Sequence, residues 1–330
     1  MQYTSLVTGG AGFIGSHVAS YLLQHEHKVV VLDDLSGGFE ENIPEECLFI
    51  KGSVTDYQLV NELFNTHVFD YVYHLAAYAA EGLSHFIRRF NYENNVIGSI
   101  NLINASVNHA VKKFIFTSSI AVYGSQELPL RESQNPQPED PYGIAKYAVE
   151  MDLKNAHEMF GLDYIIFRPH NVYGPGQNIG DKYRNVVGIF MNQILKKEAL
   201  TIFGDGKQTR AFTYIDDVAP YIAASYAFAK ADNQIFNIGS DIHHTVQQLA
   251  EEVNKAMSSS TQITHLKERN EVQHAYADHC KFEDIFEPAV KTTLEDGLKV
   301  TARWVIDKGS RESQPFQHIE IKKNLPPSWQ

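Results

Sequence analysis

Thr8-Gly9-Gly10-Ala11-Gly12-Phe13-Ile14-Gly15 is the stretch that decides the fold of this chain. An apolar run at residues 5–7 precedes it and predicts a short buried strand, while the amphipathic segment from His17 to Gln24 predicts a helix. Glycines at 9, 12 and 15 permit a tight turn between the two and let a diphosphate approach the backbone. Free amides at the start of the helix then bind that anion.

Lys28-Val29-Val30-Val31-Leu32-Asp33 predicts a second strand, and its apolar run is typical of strands buried on both faces of a parallel sheet. Asp33 ends this strand, 18 residues after Gly15. A carboxylate here accepts hydrogen bonds from the ribose hydroxyls of adenosine and repels a 2′-phosphate, and Asp34 strengthens the preference for NAD over NADP. The alternative is that Asp33 caps a turn at residues 34–37.

Strand and helix signals alternate from residue 3 to residue 168. Further strands are predicted at 48–50, 71–75, 113–117 and 164–168, and helices at 57–64, 94–109 and 141–159. This alternation predicts an α/β fold in residues 1–170, a Rossmann-type doubly wound parallel sheet with NAD at the carboxyl edge of its strands.

The pattern changes beyond residue 170. Residues 171–330 are expected to form mainly a smaller α/β domain for the substrate, with helices at 186–195, 246–256 and 294–304. Arg210 is expected on an edge segment, and a strand near 235–239 is expected to return to the first sheet. The polar tail from Lys308 has no predicted structure.

The composition limits the partners and the compartment. A net charge of −12 argues against a nucleic-acid partner, which needs a basic face. Cys47 and Cys280 are too few for a disulfide framework, and the 15 histidines lack metal-ligand spacing, so no metal is expected. No apolar run reaches the roughly 20 residues of a membrane span, and the N-terminus shows no signal peptide. We therefore expect a soluble, cytoplasmic protein without a membrane partner.

Tyr142 and Lys146 lie four residues apart, so a helix places the phenol and the ammonium on one face. Such a pair is common by chance and usually combines a packed ring with a solvated lysine. Ser119 makes the set more specific, because it ends the preceding strand and all three side chains can meet where the nicotinamide lies. A phenolate base near neutral pH needs its pKa lowered from about 10 to about 7. Lys146 and the positive nicotinamide favour the phenolate, and Ser119 can hydrogen-bond the reacting oxygen.

Several motifs of the chain occur together in one family. They are Thr8 to Gly15, Asp33, His74-Leu75-Ala76-Ala77, Thr117-Ser118-Ser119 with Val122-Tyr123-Gly124, Pro141-Tyr142-Gly143 with Lys146, and Arg168-Pro169-His170-Asn171-Val172-Tyr173-Gly174-Pro175. On these residues the chain resembles extended short-chain dehydrogenases/reductases of the NAD-dependent epimerase/dehydratase family, which act on nucleotide sugars. The resemblance covers roughly residues 3–305.

The resemblance also implies a reaction. Family 4,6-dehydratases carry an Asp-Glu pair where this chain has Ile120 and Ala121, whereas the pattern from Ser118 to Gly124 is similar to UDP-galactose 4-epimerases. The implied activity is NAD-dependent 4-epimerisation of a UDP-sugar. Tyr142 takes the C4 hydroxyl proton, hydride passes to NAD, and the 4-keto sugar turns over and is reduced on its other face. A dehydratase, decarboxylase or oxidoreductase is the alternative, and a non-catalytic NAD-binding scaffold is a further one.

Two sets of binding residues follow from the same resemblance and from the glycine motif. The NAD site is expected to contain Gly9, Gly12, Phe13, Ile14, Gly15, Asp33, Ser53, Val54, Leu75, Ala76, Ala77, Tyr142 and Lys146. The substrate site is expected to contain Ser119, Asn171, Arg210, Glu81, Arg184, Arg269 and Ala275.

The roles of Asn171 and Arg210 have alternatives. The resemblance implies that both contact the nucleotide diphosphate, Arg210 through a charge-assisted clamp. Otherwise Asn171 is a turn residue, and Arg210 forms a surface ion pair with Asp205 or Asp216.

Some positions depart from the family pattern. Ser53 stands where an adenine-contacting Asp is usual, and Ala79 where epimerases have a lysine near the diphosphate. The late diphosphate arginine matches Glu268, with Arg269 next to it. Ala275 replaces a bulky residue near the sugar C2, so N-acetylhexosamines are expected to fit as well as hexoses.

Glu81 and Arg184 are the remaining candidates for sugar contacts. Glu81 either faces sugar hydroxyls or caps a loop. Arg184 either binds the carboxylate of a uronate, which suits a bidentate guanidinium, or is a solvated loop arginine.

The resemblance finally implies a homodimer. The helices at 94–109 and 142–159 would pack against those of a second copy as a four-helix bundle. Ile100, Ile103 and Val107 fit a buried face of that arrangement.

Overall fold

The structure of the chain, a computed structural model, describes residues 2–268, 272–289, 291–312 and 316–329. Its strands in chain order are β1 Thr4–Thr8, β2 Lys28–Asp33, β3 Leu48–Lys51, β4 Tyr71–His74, β5 Lys113–Thr117, β6 Tyr164–Pro169, β7 Val172–Tyr173, β8 Leu200–Phe203, β9 Thr209–Ala211, β10 Thr213–Tyr214, β11 Gln234–Ile238, β12 His243–Thr245, β13 Ile263–Leu266 and β14 His274–Ala275. Its α-helices are α1 Phe13–Gln24, α2 Tyr57–Thr66, α3 Glu81–Ser84, α4 Arg88–Tyr92, α5 Gly98–Asn108, α6 Pro141–Phe160, α7 Val186–Leu195, α8 Ala219–Ala224, α9 Val246–Ala256, α10 Cys280–Phe286 and α11 Leu294–Lys308.

Seven strands form one parallel sheet in the order β11-β6-β5-β4-β1-β2-β3. The order reverses between β1 and β4, which is where doubly wound sheets open a crevice for a ligand. The glycine turn follows β1 and therefore lies at this crevice. The predicted Rossmann-type sheet is confirmed, as is the return of the segment near 235–239, which pairs with β6 as β11.

Apolar side chains cover both faces of the sheet. On one face α2, α5 and α6 pack over a cluster that includes Leu6, Val72 and Phe114. On the other face α1 packs on α8, and the apolar cluster continues without a break into α7, α9 and α11. The regions on either side of residue 170 thus share a core, and their division into two domains stays a prediction.

The region after β6 builds three small sheets, with orders β10-β7, β12-β9-β14 and β13-β8. Arg210 lies on β9, the middle strand of the three-stranded sheet. The prediction of an edge segment for Arg210 was therefore wrong: His244 on β12 and Ala275 on β14 pair with it from either side. A central strand holds the base of this long side chain in a fixed place.

Helix starts are the second point at which the prediction differs from the structure. Helix α1 begins at Phe13, directly after Gly12, and not at His17. Helix α6 begins at Pro141 as expected, with Asp140 as its N-cap: the Asp140 carboxylate accepts a hydrogen bond from the Gly143 amide at 2.9 Å. Because the helix can start so early, Tyr142 occupies its first turn, at the carboxyl edge of the sheet.

The tail beyond α11 is folded back on the molecule. Its residues 316–329 lie against α3 and α4 and end in a 3₁₀ turn at Pro327–Trp329. In the described part of the chain, no helix combines the length and the apolar character that crossing a membrane requires.

Candidate functional site

A cavity of about 1110 Å³ runs along the carboxyl edge of the sheet and continues between the sheet and the second region. The glycine turn and Asp33 line this cavity, as do Tyr142, Lys146 and Ser119, and β9 contributes Arg210. Side chains from both halves of the chain therefore face one continuous space, which is large enough for a dinucleotide and a second ligand.

The glycine turn is built so that no side chain fills its concave side. Gly9 has φ of +73°, and a Cβ there would lie 2.7 Å from the Ala76 amide nitrogen. A Cβ on Gly15 would overlap the carbonyl oxygen of Gly9. Gly12 is the N-cap of α1 and brings no side-chain cap, so the first-turn amides of α1 point towards the cavity. This is a cradle for a diphosphate.

Asp33 has the capping role considered for it, and its position at the cavity leaves the ribose role a prediction. Its Oδ2 accepts a hydrogen bond from the Ala11 amide at 3.0 Å, and its Oδ1 accepts one from the Leu35 amide at 2.8 Å. The carboxylate thus caps the turn after β2, ties that turn to the glycine stretch and lines the cavity.

The other residues expected at NAD also line the cavity. They are Gly9, Gly12, Phe13, Ile14, Gly15, Ser53, Val54, Leu75, Ala76 and Ala77. The Ser53 hydroxyl lies 2.9 Å from that of Thr55. Glycine cradle, carboxylate and small residues after β4 fit a dinucleotide such as NAD.

Tyr142, Lys146 and Ser119 come together at the middle of the cavity. Tyr142 and Lys146 lie on successive turns of α6, with the Lys146 Nζ 5.8 Å from the centre of the Tyr142 ring. Ser119 caps the 3₁₀ turn at residues 120–122, where its Oγ accepts a hydrogen bond from the Ala121 amide. Its hydroxyl also hydrogen-bonds the Tyr142 phenol.

The net effect of the protein is to raise the pKa of Tyr142. Burial raises it above the ordinary value, a hydrogen bond from Ser119 lowers it, and the carboxylates of Glu81 and Asp140 raise it. Burial also lowers the pKa of Lys146 to about 7, against the raising effect of Glu150. The expected phenolate at neutral pH is therefore not a property of the chain alone. Burial of the ring outweighs the two effects that lower the pKa, the hydrogen bond with Ser119 and the charge of Arg184.

Buried contacts hold the Lys146 ammonium in place. Its Nζ donates to the Thr117 carbonyl at 2.7 Å and lies 4.7 Å from the centre of the Phe116 ring. One helical turn further along, the fully buried Glu150 accepts bonds from Arg168 and from the Ser118 hydroxyl. This carboxylate explains why burial does not lower the pKa of Lys146 further.

Arg210 and Asn171, the two residues expected at the diphosphate, both line the cavity. The Arg210 guanidinium donates to the carbonyls of Thr209, Gln273 and Val272. The carboxylates proposed as alternative partners bind elsewhere, Asp205 to Lys207 and Asp216 to Tyr21. Arg210 thus brings a positive charge to the wall, held by backbone.

Asn171 has a structural role of its own. Its φ is +42°, and its Nδ2 donates to the Ala211 carbonyl at 3.1 Å, next to Arg210. It lines the cavity as well. The turn role is therefore observed, and the diphosphate role stays a prediction.

Arg184 is not the solvated loop arginine of the alternative hypothesis. It forms an ion pair with Asp181, and its guanidinium lies 4.9 Å from the centre of the Tyr78 ring. Its charge also acts on Tyr142, lowering the pKa of the phenol. The structure thus brings Arg184 to the cavity, close enough for its charge to act on Tyr142, and already paired with the Asp181 carboxylate.

Glu81 begins α3 and lines the same part of the cavity. Its carboxylate raises the pKa of Tyr142, which places its charge near the phenol. Both a sugar contact and a helix-start role remain compatible with this position.

The structure does not support the predicted substrate contacts of Ala275 and Arg269. Ala275 pairs with Arg210 across β14 and β9, and the lining here comes from Val272, Gln273 and His274, not from Ala275. Its proposed control of the C2 substituent therefore lacks a direct contact with the cavity. Arg269 lies outside the described residues.

Gln177 and Trp329 are among the lining residues that sequence reasoning missed. Gln177 is 1% exposed and neither polar atom of its amide has a hydrogen-bond partner among the described residues, so it offers a donor and an acceptor to a ligand. Trp329, in the unassigned tail, also lines the cavity. Only the Gly-Pro-rich loop at 174–180 gave any signal for Gln177, and none was available for Trp329.

Known proteins share this architecture. The model of the NAD dependent epimerase/dehydratase family matches residues 5–239. A solved UDP-glucose 4-epimerase of Thermotoga maritima, with UDP-glucose, is 36% identical with a TM-score of 0.88, covering 92% of this chain and 99% of its own. A UDP-N-acetylglucosamine 4-epimerase of Methanobrevibacter ruminantium, solved with UDP-N-acetylmuramic acid, is 34% identical with a TM-score of 0.87, covering 93% and 100%.

A third relative catalyses a different reaction. The UDP-N-acetyl-alpha-D-glucosaminuronate decarboxylase of Bacillus cytotoxicus is 31% identical, over 92% of this chain and 98% of its own. The family match and the spread of these relatives agree with the cavity described above. The chain belongs to the NAD-dependent epimerase/dehydratase family.

Proposed function

We propose that this protein catalyses the NAD-dependent 4-epimerisation of a UDP-sugar whose hexose is uncharged. The observation that carries the proposal is the single cavity that joins the glycine cradle and Asp33 to Tyr142, Lys146 and Ser119. Two of the solved relatives are named as 4-epimerases of UDP-sugars.

Tyr142 is the proposed acid and base at the C4 oxygen. Ser119 hydrogen-bonds the phenol and is placed to share the proton of the sugar hydroxyl. Lys146 lies beside the ring and supports the phenolate when it carries its charge. When bound, NAD supplies the acceptor and donor of hydride for oxidation and reduction at C4. The cradle, Asp33 and Lys146 would hold it.

The turn after Ser119 favours epimerisation over 4,6-dehydration. Loss of water from C5 and C6 requires an acid and a base next to C4. Ile120 and Ala121 occupy that turn, and neither can transfer a proton. With proton transfer available at the C4 oxygen alone, the chemistry supported is oxidation at C4 followed by reduction of the same carbon, without loss of water.

The state of Arg184 favours an uncharged hexose over a uronate. Its guanidinium already pairs with Asp181, and Glu81 and Asp140 add negative charge around Tyr142. A uronate carboxylate would have to displace Asp181 and approach two further carboxylates. This argues against the decarboxylase alternative as well, because that reaction needs a uronate.

The diphosphate end is proposed at Arg210 and Asn171. Arg210 donates hydrogen bonds to three backbone carbonyls and lines the cavity, so its guanidinium is held in a fixed place on the cavity wall. The Gln177 amide is a further candidate partner for the nucleotide sugar.

We also propose a homodimer, with a contact surface that does not consist of Ile100, Ile103 and Val107. Ile103 is buried in the chain's own core, with Ile100 and Val107 packed beside it. The outer side of the same helix pair instead exposes Ile97 and Met151, each more than half exposed. This apolar surface supports a contact with a second copy.

A panel of UDP-sugars tests the function. The protein is incubated with UDP-glucose, UDP-N-acetylglucosamine and UDP-glucuronate, and the products are identified by NMR. The proposal expects conversion of one or both uncharged sugars to the 4-epimer without change of mass. Turnover of the uronate alone, or a product that has lost water or carbon dioxide, would contradict it.

A further inference from the structure

Residues 316–329, the C-terminal strap, lie outside the part of the chain that resembles the family. The strap packs on two segments that line the cavity, residues 78–90 and the loop at 181–185. The cluster consists of Ala80, Leu83, Ile87, Leu325 and Trp329, with Tyr78, Phe86, Phe90, Tyr183, Phe316 and Ile319 at its margin. The strap therefore belongs to the structure of the site and not to a separate surface.

Polar contacts fix the strap in one register. Both carboxylate oxygens of Glu320 accept hydrogen bonds from the first amides of α4, Arg89 and Phe90, at 2.8 and 2.9 Å. The amides of Glu320 and Ile321 donate to the Phe86 carbonyl. On the other side, the Phe316 amide donates to the Tyr183 hydroxyl at 3.1 Å. Both segments are thus held by backbone hydrogen bonds.

Trp329 is the strap residue that reaches the cavity. Its ring centre lies 5.4 Å from that of Tyr183 and 6.2 Å from that of Phe86. Gly82 permits this approach, since a Cβ there would lie 3.1 Å from the indole. Trp329 is 5% exposed and lines the cavity, whereas Leu325 and Ile319 only anchor the strap.

The position of Trp329 relative to the chemistry follows from its neighbours. Gly82 adjoins Glu81, and Tyr183 adjoins Arg184. The charges of Glu81 and Arg184 both act on the Tyr142 phenol. The indole therefore lies between the two segments that face the candidate base, which is the end of the cavity where the reacting sugar must be.

We propose that the C-terminal strap forms a wall of the sugar site and that Trp329 contacts the hexose of the bound nucleotide sugar. The inference rests on the proposed function. A hexose presents apolar C–H faces between its hydroxyls, and a rigid aromatic surface is suited to cover them. Such a wall makes the strap a determinant of which uncharged hexose is accepted.

Fluorescence tests the contact directly. The chain has 2 tryptophans, and the other, Trp304, lies on α11 against the far core. In the Trp304→Phe variant of the NAD-bound enzyme, Trp329 is the source of all tryptophan fluorescence. We expect UDP-glucose and UDP-N-acetylglucosamine to change its emission more than UDP, which lacks the hexose. Equal emission with UDP and with a UDP-sugar that calorimetry shows to be bound would overturn the inference. If calorimetry detects no binding of either sugar nucleotide, the proposed function fails and the inference with it.

Kinetics test the consequence. We expect Trp329→Ala to raise the KM for the UDP-sugar on the order of tenfold and to change the preference between the two uncharged sugars. The NAD affinity of Trp329→Ala should stay unchanged. Trp329→Phe keeps an aromatic ring, so its KM and its sugar preference should remain close to those of the wild type. Leu325→Ala is the matched control: it removes strap packing outside the cavity, so it should lower Tm without changing the sugar preference. Equal KM and preference in the Trp329→Ala and Leu325→Ala variants would overturn the inference.

Discussion

Burial acts on the two central side chains of the site in opposite directions. It raises the pKa of Tyr142 and lowers that of Lys146 to about 7, so in the protein alone both side chains are driven towards their neutral forms. The network of Glu150, Arg168 and Ser118 limits this effect on Lys146. Catalysis then depends on positive charge brought close to the phenol, which the chain supplies only in part.

Replacing Tyr142 with Phe tests the assigned base. The ring stays and the proton acceptor is lost, so we expect turnover of a UDP-sugar to fall by roughly 10²- to 10⁴-fold or more. NAD affinity, measured by calorimetry, should remain close to that of the wild type. Tyr147→Phe, on the same helix but outside the cavity lining, is the control and should keep its activity. A Tyr142→Phe enzyme with full activity would refute the assignment.

Lys146 gives the NAD-free protein a specific pH dependence. The pKa of this lysine is about 7 in the folded chain and ordinarily 10.5, so between these values the unfolded chain binds a proton that the folded chain lacks. Stability therefore rises as pH increases through this window, and below it the cost of burying the charge is fully present. Relative to Lys146→Met, the wild type should gain on the order of 4 kcal/mol in unfolding free energy from pH 7 to 10. Parallel urea-denaturation results for the two proteins across this range would contradict the account.

At the scale of single residues, chemistry could be predicted where it depends on local spacing. Tyr142, Lys146 and Ser119 were found because one helix and one strand end set their positions. The partner of Arg184 and the phenol's raised pKa could not be predicted in this way. The ion pair of Arg184 depends on Asp181, and the raised pKa of Tyr142 depends on burial together with the charges of Glu81 and Asp140. These residues come from three separate segments of the chain.

The turn from β1 to α1 is the element on which cofactor binding depends. A Cβ at Gly15 would overlap the Gly9 carbonyl, so Gly15→Ala must displace the cradle. We expect this variant to lose measurable NAD binding in calorimetry while the fold, followed by circular dichroism, persists. Gly188→Ala in α7 is the control, because its Cβ would make ordinary contacts and alanine favours a helix by about 1 kcal/mol. Unchanged NAD affinity in Gly15→Ala would contradict the proposed cradle.

At the scale of elements, the first half of the sheet was predicted well for a physical reason. Strands buried on both faces are continuous apolar runs, as in residues 28–33 and 113–117, and their bounds are visible in the sequence. The start of α1 was placed late because Phe13 and Ile14 are in its first turn but precede the amphipathic pattern. The small sheets around Arg210 pair strands of two to four residues across long separations, for which no local pattern exists.

At the scale of the whole molecule, the exposed apolar side chains near α5 and on α6 allow the proposed homodimer to be tested. Met151 and Ile144 lie seven residues apart on one face of α6 and are both exposed. We expect Met151→Glu to convert a dimer into a monomer in light scattering, since it places a charge in the proposed contact. Val68→Glu, at a site 87% exposed and outside both helices, should leave the mass unchanged. A wild-type protein that is monomeric at all concentrations would exclude the proposed dimer.

The tail shows what a single sequence cannot reveal about the whole molecule. Residues 316–329 are polar and contain proline, and no periodicity indicates that they fold. Their position is set by an aromatic cluster whose other members come from residues 78–90 and 183. The proposed wall of the sugar site would thus combine three distant parts of the chain, which only the structure brings together.

The central claim is that the hydrogen on C4 leaves and returns to the same carbon on its other face. UDP-glucose carrying deuterium at C4 tests it most directly, with the product analysed by mass spectrometry and NMR. We expect UDP-galactose of unchanged mass that retains the deuterium at C4, with no net accumulation of reduced cofactor. Deuterium at C6, its loss to solvent, or stoichiometric release of labelled NADH would contradict 4-epimerisation.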